Sequence, residues 1–360
     1  MKDIKTPGRT PAPIAGDVPS SAPDPTNPRE DLVASALRPF QRPSTRGSLW
    51  QLANSLIPYA GLWVLMAHTV EVSYPLTLAL SVLAAGFLVR IFIIFHDCGH
   101  GSFFRSRRAN EWVGFLTGVL TMTPHHKWWH DHALHHAHAG NLDRRGDGDV
   151  WTMTVQEFRE ASRWKKLAYV LVRQPLFMLT VGPLLVFVVQ HRFPSGSSRA
   201  KERRSVLLTN VVLAAGITTL GLTIGWLDYL AIHLPILMIA GAAGIWLFYV
   251  QHQYEDTYWR RDDECDFFDA ALQGSSWYDL PRVLQWFSGN IGFHHVHHLS
   301  PRVPNYRLEA CHHAFEALRS VRPLGLRRSL RSAQLRLWDE EQQRLVGWRT
   351  AWRGGTVRSA

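Results

Sequence analysis

Four long runs of apolar residues stand out along the chain, at about 49–68, 75–95, 206–227 and 229–250. Each run approaches or exceeds the roughly 20 residues that a helix needs to cross the hydrocarbon core of a bilayer. Short polar turns join the first run to the second and the third run to the fourth. The pattern predicts an all-α integral membrane protein with four transmembrane helices.

A fifth apolar segment, 167–189, is long enough to compete with these four. It contains Arg173, Pro175 and Pro183, and proline in a helix interior removes a hydrogen bond and kinks or breaks the helix. We therefore expect a broken helix that lies in the membrane interface or packs on the helix bundle, instead of a fifth crossing.

The charges of the loops predict an orientation. The turns at 69–74 and 227–229 contain acidic residues but no Lys or Arg, whereas the long loop 96–205 is rich in both. Basic loops stay on the cytosolic side of a membrane. The sequence therefore predicts cytosolic termini and a cytosolic loop between the second and third spans.

The two ends of the chain differ from the membrane domain, which we place at 46–325. Residues 1–45 are rich in Pro, Ser, Asp and Arg, a composition typical of a disordered tail. Residues 326–360 form a basic C-terminal tail with scattered Leu and Trp. This spacing favours an amphipathic helix on protein or on an anionic membrane, or else a plain solvated helix.

Composition and charge narrow the class of protein. The chain has 360 residues, 46% of them hydrophobic, with 15 Trp and a net charge of +10. The basic residues flank the apolar runs and match no nucleic-acid-binding motif, so we expect no nucleic-acid partner. The three cysteines are scattered and form no CxxC, so we expect no disulfide framework, and cysteine ligation of a metal is a weak hypothesis.

Histidine gives the most specific pattern in the sequence. Three groups follow apolar segments: His96 and His100; His132, His135 and His136; His294, His297 and His298. Positions i, i+3 and i+4 of a helix share one face, so each group directs its imidazoles to one point. Imidazole is a good ligand for iron, zinc and copper. Eight imidazoles exceed the four ligands of one zinc ion, and the count therefore indicates two metal ions.

Other histidines fit a simpler interpretation. A single histidine near a membrane is more often a surface or interfacial residue than a metal ligand. We expect that role for His68, His191, His233, His312 and His313. Another five histidines, His125, His126, His130, His138 and His295, stand next to the presumed ligands and crowd the second and third groups.

The sequence around the histidine groups resembles that of a known family. The stretches "HDCGHGSFF", "HALHHAHAGNLDRRGDGDVWTMTV", "WLFYVQHQYEDTYW" and "NIGFHHVHHLSPRVPNY" are similar to the integral-membrane fatty acid desaturases, and most of all to bacterial acyl-lipid desaturases of the Δ12 (ω-6) type. The resemblance covers about residues 50–325 and excludes both tails. Its motifs are specific for the superfamily and less specific for the position of the double bond.

The resemblance implies a metal centre and a reaction. Family members hold two iron ions with histidine ligands in a cytosolic cap on four transmembrane helices. Matched to this sequence, the ligands are the eight histidines of the three groups, together with His252 in "VQHQYEDTYW". The implied reaction uses O2 and two external electrons to introduce a cis double bond into an acyl chain. Breaking an unactivated methylene C–H bond needs such a metal, because acid–base chemistry on side chains cannot do it.

Partners and location follow from the same resemblance. The chain has no Rossmann glycine motif, no haem-binding CxxCH and no cysteine set for an iron–sulfur cluster. A ferredoxin-like or cytochrome-type electron donor is therefore implied, with an acyl lipid in the bilayer as substrate. We expect a multi-pass protein of the bacterial cytoplasmic membrane.

Carboxylates near the histidine groups are candidates for orienting the ligands. A carboxylate that accepts the free ring N–H of a ligating histidine fixes its tautomer. Asp97, Asp149 and Glu255 are the candidates, and Asp149 in "RGDGDVW" is the preferred one.

Two other classes of function fit parts of the pattern. A di-iron membrane hydroxylase or carotenoid ketolase would share the histidine groups and insert oxygen, so product analysis separates it from a desaturase. A non-catalytic metal-binding or transport protein would normally place ionisable residues near the bilayer midplane. Here the histidines follow the ends of the apolar runs.

Overall fold

Helices account for most of the computed structural model, which describes residues 35–146, 148–196 and 198–352. In chain order the α-helices are α1 (Thr45–Thr69), α2 (Tyr74–Gly99), α3 (Arg107–Leu120), α4 (His125–His138), α5 (Val155–Glu160), α6 (Arg163–Val172), α7 (Pro175–Pro183), α8 (Ala200–Ile224), α9 (Trp226–His252), α10 (Phe267–Gln273), α11 (Arg282–Phe287), α12 (His294–Leu299), α13 (Asn305–Ala314), α14 (Glu316–Arg319), α15 (Leu326–Ser332) and α16 (Trp348–Trp352).

Short irregular helices and strands complete the described chain. A π-helix (Leu184–Val189) and a 3₁₀ turn (Gln190–Arg192) continue α7, and a second 3₁₀ turn covers Asp262–Glu264. The strands are β1 (Met153–Thr154), β2 (Trp277–Asp279), β3 (Pro323–Gly325), β4 (Leu337–Asp339) and β5 (Arg344–Val346). One sheet has the order β1-β4-β5, and β2 pairs in parallel with β3.

Four segments within the described residues have the length and hydropathy of membrane-crossing helices: α2, α8, α9 and the continuous helical segment Pro175–Arg192. The predicted fold class, a mostly helical membrane protein, is confirmed. Three of these four segments match predicted runs. The prediction had α1 as the fourth crossing, whereas the fourth segment of the structure with these properties is Pro175–Arg192. The run at 49–68 does form one continuous helix of 25 residues. Which segments cross the membrane stays a prediction.

Helices α2 and α9 form the centre of the bundle and run in the same direction. Near their first turns, the Tyr74 hydroxyl donates to the carbonyl of Ala231 at 3.4 Å. Small and branched side chains, among them Ala84 on α2 and Ile236 on α9, pack into one buried cluster along both helices. Because the two helices are parallel, their last turns end at the same side of the bundle, where the predicted histidine ligands lie.

The segment predicted as a broken helix is broken between α6 and α7. Pro175 starts α7, and a residue that precedes proline is disfavoured in helical conformation. The buried Arg173 lies at the break and donates to the side-chain oxygen of Gln253 at 2.8 Å. Its guanidinium also lies 5.0 Å from the ring centroid of Tyr249, so helix α9 holds the break in place.

The C-terminal segment differs from its prediction. Instead of one amphipathic or solvated helix, residues 326–352 form α15, the hairpin β4-β5 and α16. Leu337 and Trp338 are fully buried, because β4 pairs with β1 at the edge of the membrane domain. The leucines and tryptophans have a spacing that also fits a helix face, and the tertiary pairing overrides that local preference.

The described part of the N-terminal segment also differs from a disordered tail. Leu37 is 3% exposed, and the ring of Phe40 packs edge-on against Phe315 at 5.9 Å. Gln41 donates to the hydroxyl of Ser300 at 3.0 Å. The folded domain therefore begins before residue 46. The rest of the predicted tail, residues 1–34, lies outside the described residues, as do residues 353–360.

Candidate metal centre

All nine histidines that the sequence singled out as ligands lie in two adjacent clusters. The ligand nitrogens within each cluster lie within 4.8 Å of one another. The first cluster contains five residues: His96, His100, His132, His136 and His297. The second contains four: His135, His252, His294 and His298. Histidines from all three sequence groups meet, and the group at 132–136 and the group at 294–298 each contribute to both clusters.

Four helices deliver these side chains. His96 and the adjoining His100 come from the last turn of α2, and His252 is the last residue of α9. Helices α4 and α12 carry the other six, on faces set by the i, i+3, i+4 spacing. The site therefore lies where the last turns of α2 and α9 meet α4 and α12.

His252 links the two sequence groups that make up the second cluster. Its Nε2 lies 3.1 Å from Nε2 of His135 and 2.9 Å from Nε2 of His294. On the other side of its ring, Nδ1 donates to the carbonyl of Gly274 at 3.1 Å. His252 lies outside the three sequence groups, yet the structure places it among them.

The contacts behind the rings fix which nitrogen carries the proton. A carbonyl only accepts hydrogen bonds, so Nδ1 of His252 carries the hydrogen and Nε2 presents a lone pair. Nδ1 of His135 likewise points at Oδ1 of Asp149, at 2.5 Å. The two Nε2 lone pairs, of His135 and His252, therefore face each other at 3.1 Å, where neither can donate.

This arrangement fits a metal ion. Two ligand nitrogens at right angles, each about 2.1 Å from a metal, are separated by about 3 Å. Facing lone pairs at that separation repel unless a cation lies between them. In the first cluster, Nε2 of His100 is buried and has no hydrogen-bond partner among the described residues. The donor set therefore suits one metal ion in each cluster.

The charge state of the rings supports the same conclusion. Burial, followed by the neighbouring histidines, lowers the pKa of seven of the nine histidines well below the ordinary value: His100, His132, His136, His252, His294, His297 and His298. These imidazoles are neutral at pH 7, and neutral imidazole is the form that binds a metal.

Two of the three predicted carboxylates contact a ligand. Asp149 accepts from His135, and Oδ1 of Asp97 lies 3.1 Å from Nδ1 of His96. Glu255, in contrast, lies 3.6 Å from the guanidinium of Arg328, and its side chain is 42% exposed. The structure places Glu255 in an ion pair with Arg328 instead of against a histidine ring.

A buried network behind Asp97 was missing from the sequence prediction. Oδ2 of Asp97 accepts from the backbone and the side-chain amide of Asn305, at 2.7 and 2.8 Å. The side-chain oxygen of Asn305 accepts from Gln51 at 2.9 Å. Helix α1, helix α13 and the ligand His96 are thereby connected. No local pattern signals this network, since its members are far apart in sequence.

Gly148 explains why Asp149 reaches His135. Its φ is +81°, a left-handed conformation that glycine adopts without strain. A Cβ at this position would lie 2.7 Å from the carbonyl oxygen of Asp131 and 3.2 Å from Cβ of His135. Only glycine therefore allows the loop to approach α4 closely enough for the Asp149 contact.

Of the five further histidines that were expected at the surface or at the membrane interface, two are buried in the protein. His191 is buried, and His312 is 1% exposed. Nδ1 of His312 lies 3.1 Å from Nε2 of His295, and its ring packs on Trp277. His312 thus supports the rear face of α12, because α13 folds back over that helix.

Comparison with known proteins decides the family. A family model described as fatty acid desaturase matches residues 73–325. The chain belongs to the fatty acid desaturase family. A fatty acid desaturase of Bacillus subtilis (strain 168) is 51% identical over 321 residues, which make up 89% of this chain and 91% of that protein.

More distant relatives have more specific names. An sn-1 acyl-lipid omega-3 desaturase (ferredoxin) of Synechocystis sp. is 30% identical over 64% of this chain and 64% of its own length. An sn-1 oleoyl-lipid 12-desaturase of the same organism is 27% identical over 62% of this chain and 64% of its own length. The desaturase described here is therefore an oxidoreductase, and it contains two histidine clusters that could each hold a metal ion.

Proposed function

We propose that this desaturase is an acyl-lipid desaturase with two iron ions, one in each histidine cluster, that introduces a cis double bond at the Δ12 (ω-6) position. The observation that carries the metal assignment is the convergence of Nε2 atoms at about 3 Å spacing, with Nε2 of His135 and of His252 both left without a proton by the contacts at their Nδ1 atoms. When bound, such a pair supplies the oxygen chemistry that removes hydrogen from an unactivated methylene.

The protein orients the ligands from behind. Asp97, Asp149 and the carbonyl of Gly274 each hold one ring at Nδ1, so the Nε2 atoms of His96, His135 and His252 point into the clusters. Outer contacts of this kind fix the tautomer and raise the basicity of the ligand. The chain thereby establishes the coordination geometry before any substrate binds.

Aromatic side chains separate the centre from water on one side. Trp128 stacks on the ring of His132 at 4.4 Å, and Phe95 packs against Trp128 at 5.1 Å. Phe92 extends this wall along α2 towards the membrane part of the helix. A dry apolar wall suits an acyl chain that arrives from the bilayer, and it keeps reactive oxygen species away from water.

The two electrons come from a separate protein. The sequence contains no motif for a haem, a flavin nucleotide or an iron–sulfur cluster. The name of the Synechocystis omega-3 relative includes ferredoxin, which supports a ferredoxin-type donor for this desaturase. The excess of Lys and Arg in the loop 96–205 would attract an acidic donor of that kind.

The proposed location is the bacterial cytoplasmic membrane, with the histidine clusters on the cytosolic side. Loop charges support this orientation. The contacts of Pro175–Arg192 also support it: Arg173, just before the segment, touches Gln253, and Arg199, just after it, lies 3.1 Å from His130. Both contacts lie on the side of the bundle that carries the histidine clusters, which supports a segment that does not cross the membrane.

The position of the double bond is tested by expression in a bacterial host that makes only saturated and monounsaturated lipids. Mass spectrometry of the fatty acids then gives the number and position of the double bonds. We expect a diene with its new bond at Δ12. A single new bond elsewhere would overturn the Δ12 assignment and leave the desaturase function intact. A hydroxy acid as the main product would overturn both.

A further inference from the structure

A third group of metal-ligand side chains lies apart from the nine-histidine centre. It consists of Glu111 on α3 and of His125 and His126, the first two residues of α4. One ligand atom from each residue lies within 4.8 Å of the other two. The nine-histidine centre uses none of these three side chains, and the sequence prediction assigned none of them a role.

The two histidines of this group are available as ligands. His125 is 7% exposed, and its Nδ1 is buried without a hydrogen-bond partner among the described residues. Burial is the main cause that lowers the pKa of His125 to about 4, and it does the same for His126, aided by the charge of Lys201. Both imidazoles are therefore neutral at pH 7 and present lone pairs.

The two carboxylate oxygens of Glu111 face different neighbours. Oε2 lies 3.2 Å from Nε2 of His126, and Oε1 lies 3.7 Å from the ammonium of Lys201 on α8. Neutral His126 can donate Nε2–H to Oε2. In its other tautomer, with the hydrogen on Nδ1, the Nε2 lone pair and Oε2 converge at 3.2 Å, where an ion can bind both while Lys201 contacts the other oxygen.

We infer that Glu111, His125 and His126 form a separate site for a divalent transition-metal ion such as Zn²⁺. Two imidazoles and one carboxylate are a ligand set that zinc and its neighbours in the first transition row prefer, whereas Ca²⁺ and Mg²⁺ prefer oxygen ligands alone. The ion would link α3 to the first turn of α4. Since α4 also carries His132, His135 and His136, the ion would anchor the helix that serves both clusters.

The inference is tested on the full-length protein, purified in detergent and loaded with iron. Zn²⁺ is added in slight excess, unbound metal is removed, and zinc and iron are counted per chain by mass spectrometry. The wild type is compared with Glu111→Gln, which keeps the side-chain shape but weakens ligation. His130→Ala is the matched control, because His130 lies on the same helix and contacts Arg199 instead of this group. If Glu111→Gln fails to fold, His126→Gln replaces it.

We expect the wild type and His130→Ala to retain one zinc ion per chain at unchanged iron content. Glu111→Gln should bind that zinc more than about 100-fold more weakly, since even contacts outside the ligand shell are worth 10–100-fold in metal affinity. Equal zinc in the wild type and Glu111→Gln would overturn the inference, as would zinc uptake matched by an equal loss of iron. Because the readout is a metal count, the result does not depend on the reaction proposed above.

Discussion

At the scale of single residues, the centre depends on what lies behind each imidazole. His135 is held by a carboxylate and His252 by a backbone carbonyl, and both contacts leave Nε2 unprotonated. The Nε2 atoms of these two residues then meet at 3.1 Å. A ring that is held in this way already has the orientation that a ligand needs, and this favours metal binding.

Replacing His252 with alanine should abolish desaturation and lower the bound iron sharply. The reason is that His252 contacts ligands from two other helices, so its loss opens the four-residue cluster. The measurements are iron per chain in purified protein and fatty acid composition in the host. The matched control is His313→Ala, since His313 is exposed and should keep both values. Near-normal activity and iron in the His252 variant would contradict the ligand assignment.

Asp149→Asn should weaken iron binding by about 10–100-fold while the protein stays folded, because the amide no longer holds Nδ1 of His135 as a charged acceptor. An iron titration of the metal-free protein gives this value. Glu255→Gln is the control carboxylate, and we expect it to bind iron like the wild type since Glu255 pairs with Arg328. If both variants bound iron equally well, Asp149 would have no positioning role.

The sequence predicted which histidines lie together better than it predicted the contacts behind them. The ligands follow from helical spacing and from the family resemblance, and all nine are brought together. The carbonyl of Gly274 is a backbone group, which any residue type would supply, so no side-chain pattern announces it. Asn305 lies 208 positions from Asp97, and only the packing of α13 on α2 brings the two together.

At the scale of elements, hydropathy predicted the helices but did not decide which of them cross the membrane. Pro175–Arg192 is apolar enough to cross, yet Arg173 before it contacts Gln253, next to His252, and Arg199 after it contacts His130 on α4. Proline accounts for its irregular shape: Pro183 has no backbone N–H to donate, and a π-helix begins directly after it.

Reporter fusions test this topology. Fusions that end after Gly196 and after Trp259 should both report the cytosol, whereas a fusion after Asp228, in the first turn of α9, should report the outside. The physical reason is that the second and third histidine groups must meet on one side of the membrane. An external signal after Gly196 would show that Pro175–Arg192 crosses.

The C-terminal hairpin shows where local pattern fails. Its strands have only three residues each, and β4 also pairs with β1, which is far away in the sequence. Amphipathic spacing in one dimension therefore favoured a helix. Burial of Trp338 in the structure makes this hairpin part of the folded domain instead of a surface tail.

Trp338→Ala should destabilise the desaturase by about 3–5 kcal/mol, because it leaves a large cavity at a fully buried position. Trp112→Ala, at a position that is 68% exposed, should cost no more than about 0.5 kcal/mol. Denaturant unfolding of both variants in the same detergent measures the difference. Equal stabilities would mean that the hairpin contributes nothing to the fold.

At the scale of the whole molecule, a parallel pair of helices and a cap of short helices create one site. Helices α2 and α9 bring His96 and His252 to the same level, and the cap supplies α4 and α12 from two separate loops. The long helices were predictable because a membrane span needs a long apolar run. For the cap, only the residue types could be predicted, because its short helices and strands depend on tertiary contacts.

The measurement that tests the central claim most directly is the reaction itself. Purified protein with iron, a chemical or ferredoxin reductant, O2 and an acyl lipid should yield a product that has lost two hydrogen atoms and gained no oxygen. His100→Ala, in the five-histidine cluster, and His298→Ala, in the four-histidine cluster, should each abolish that product because both metal sites are needed. A product that has gained oxygen, or full activity after loss of either histidine, would contradict a two-metal desaturase.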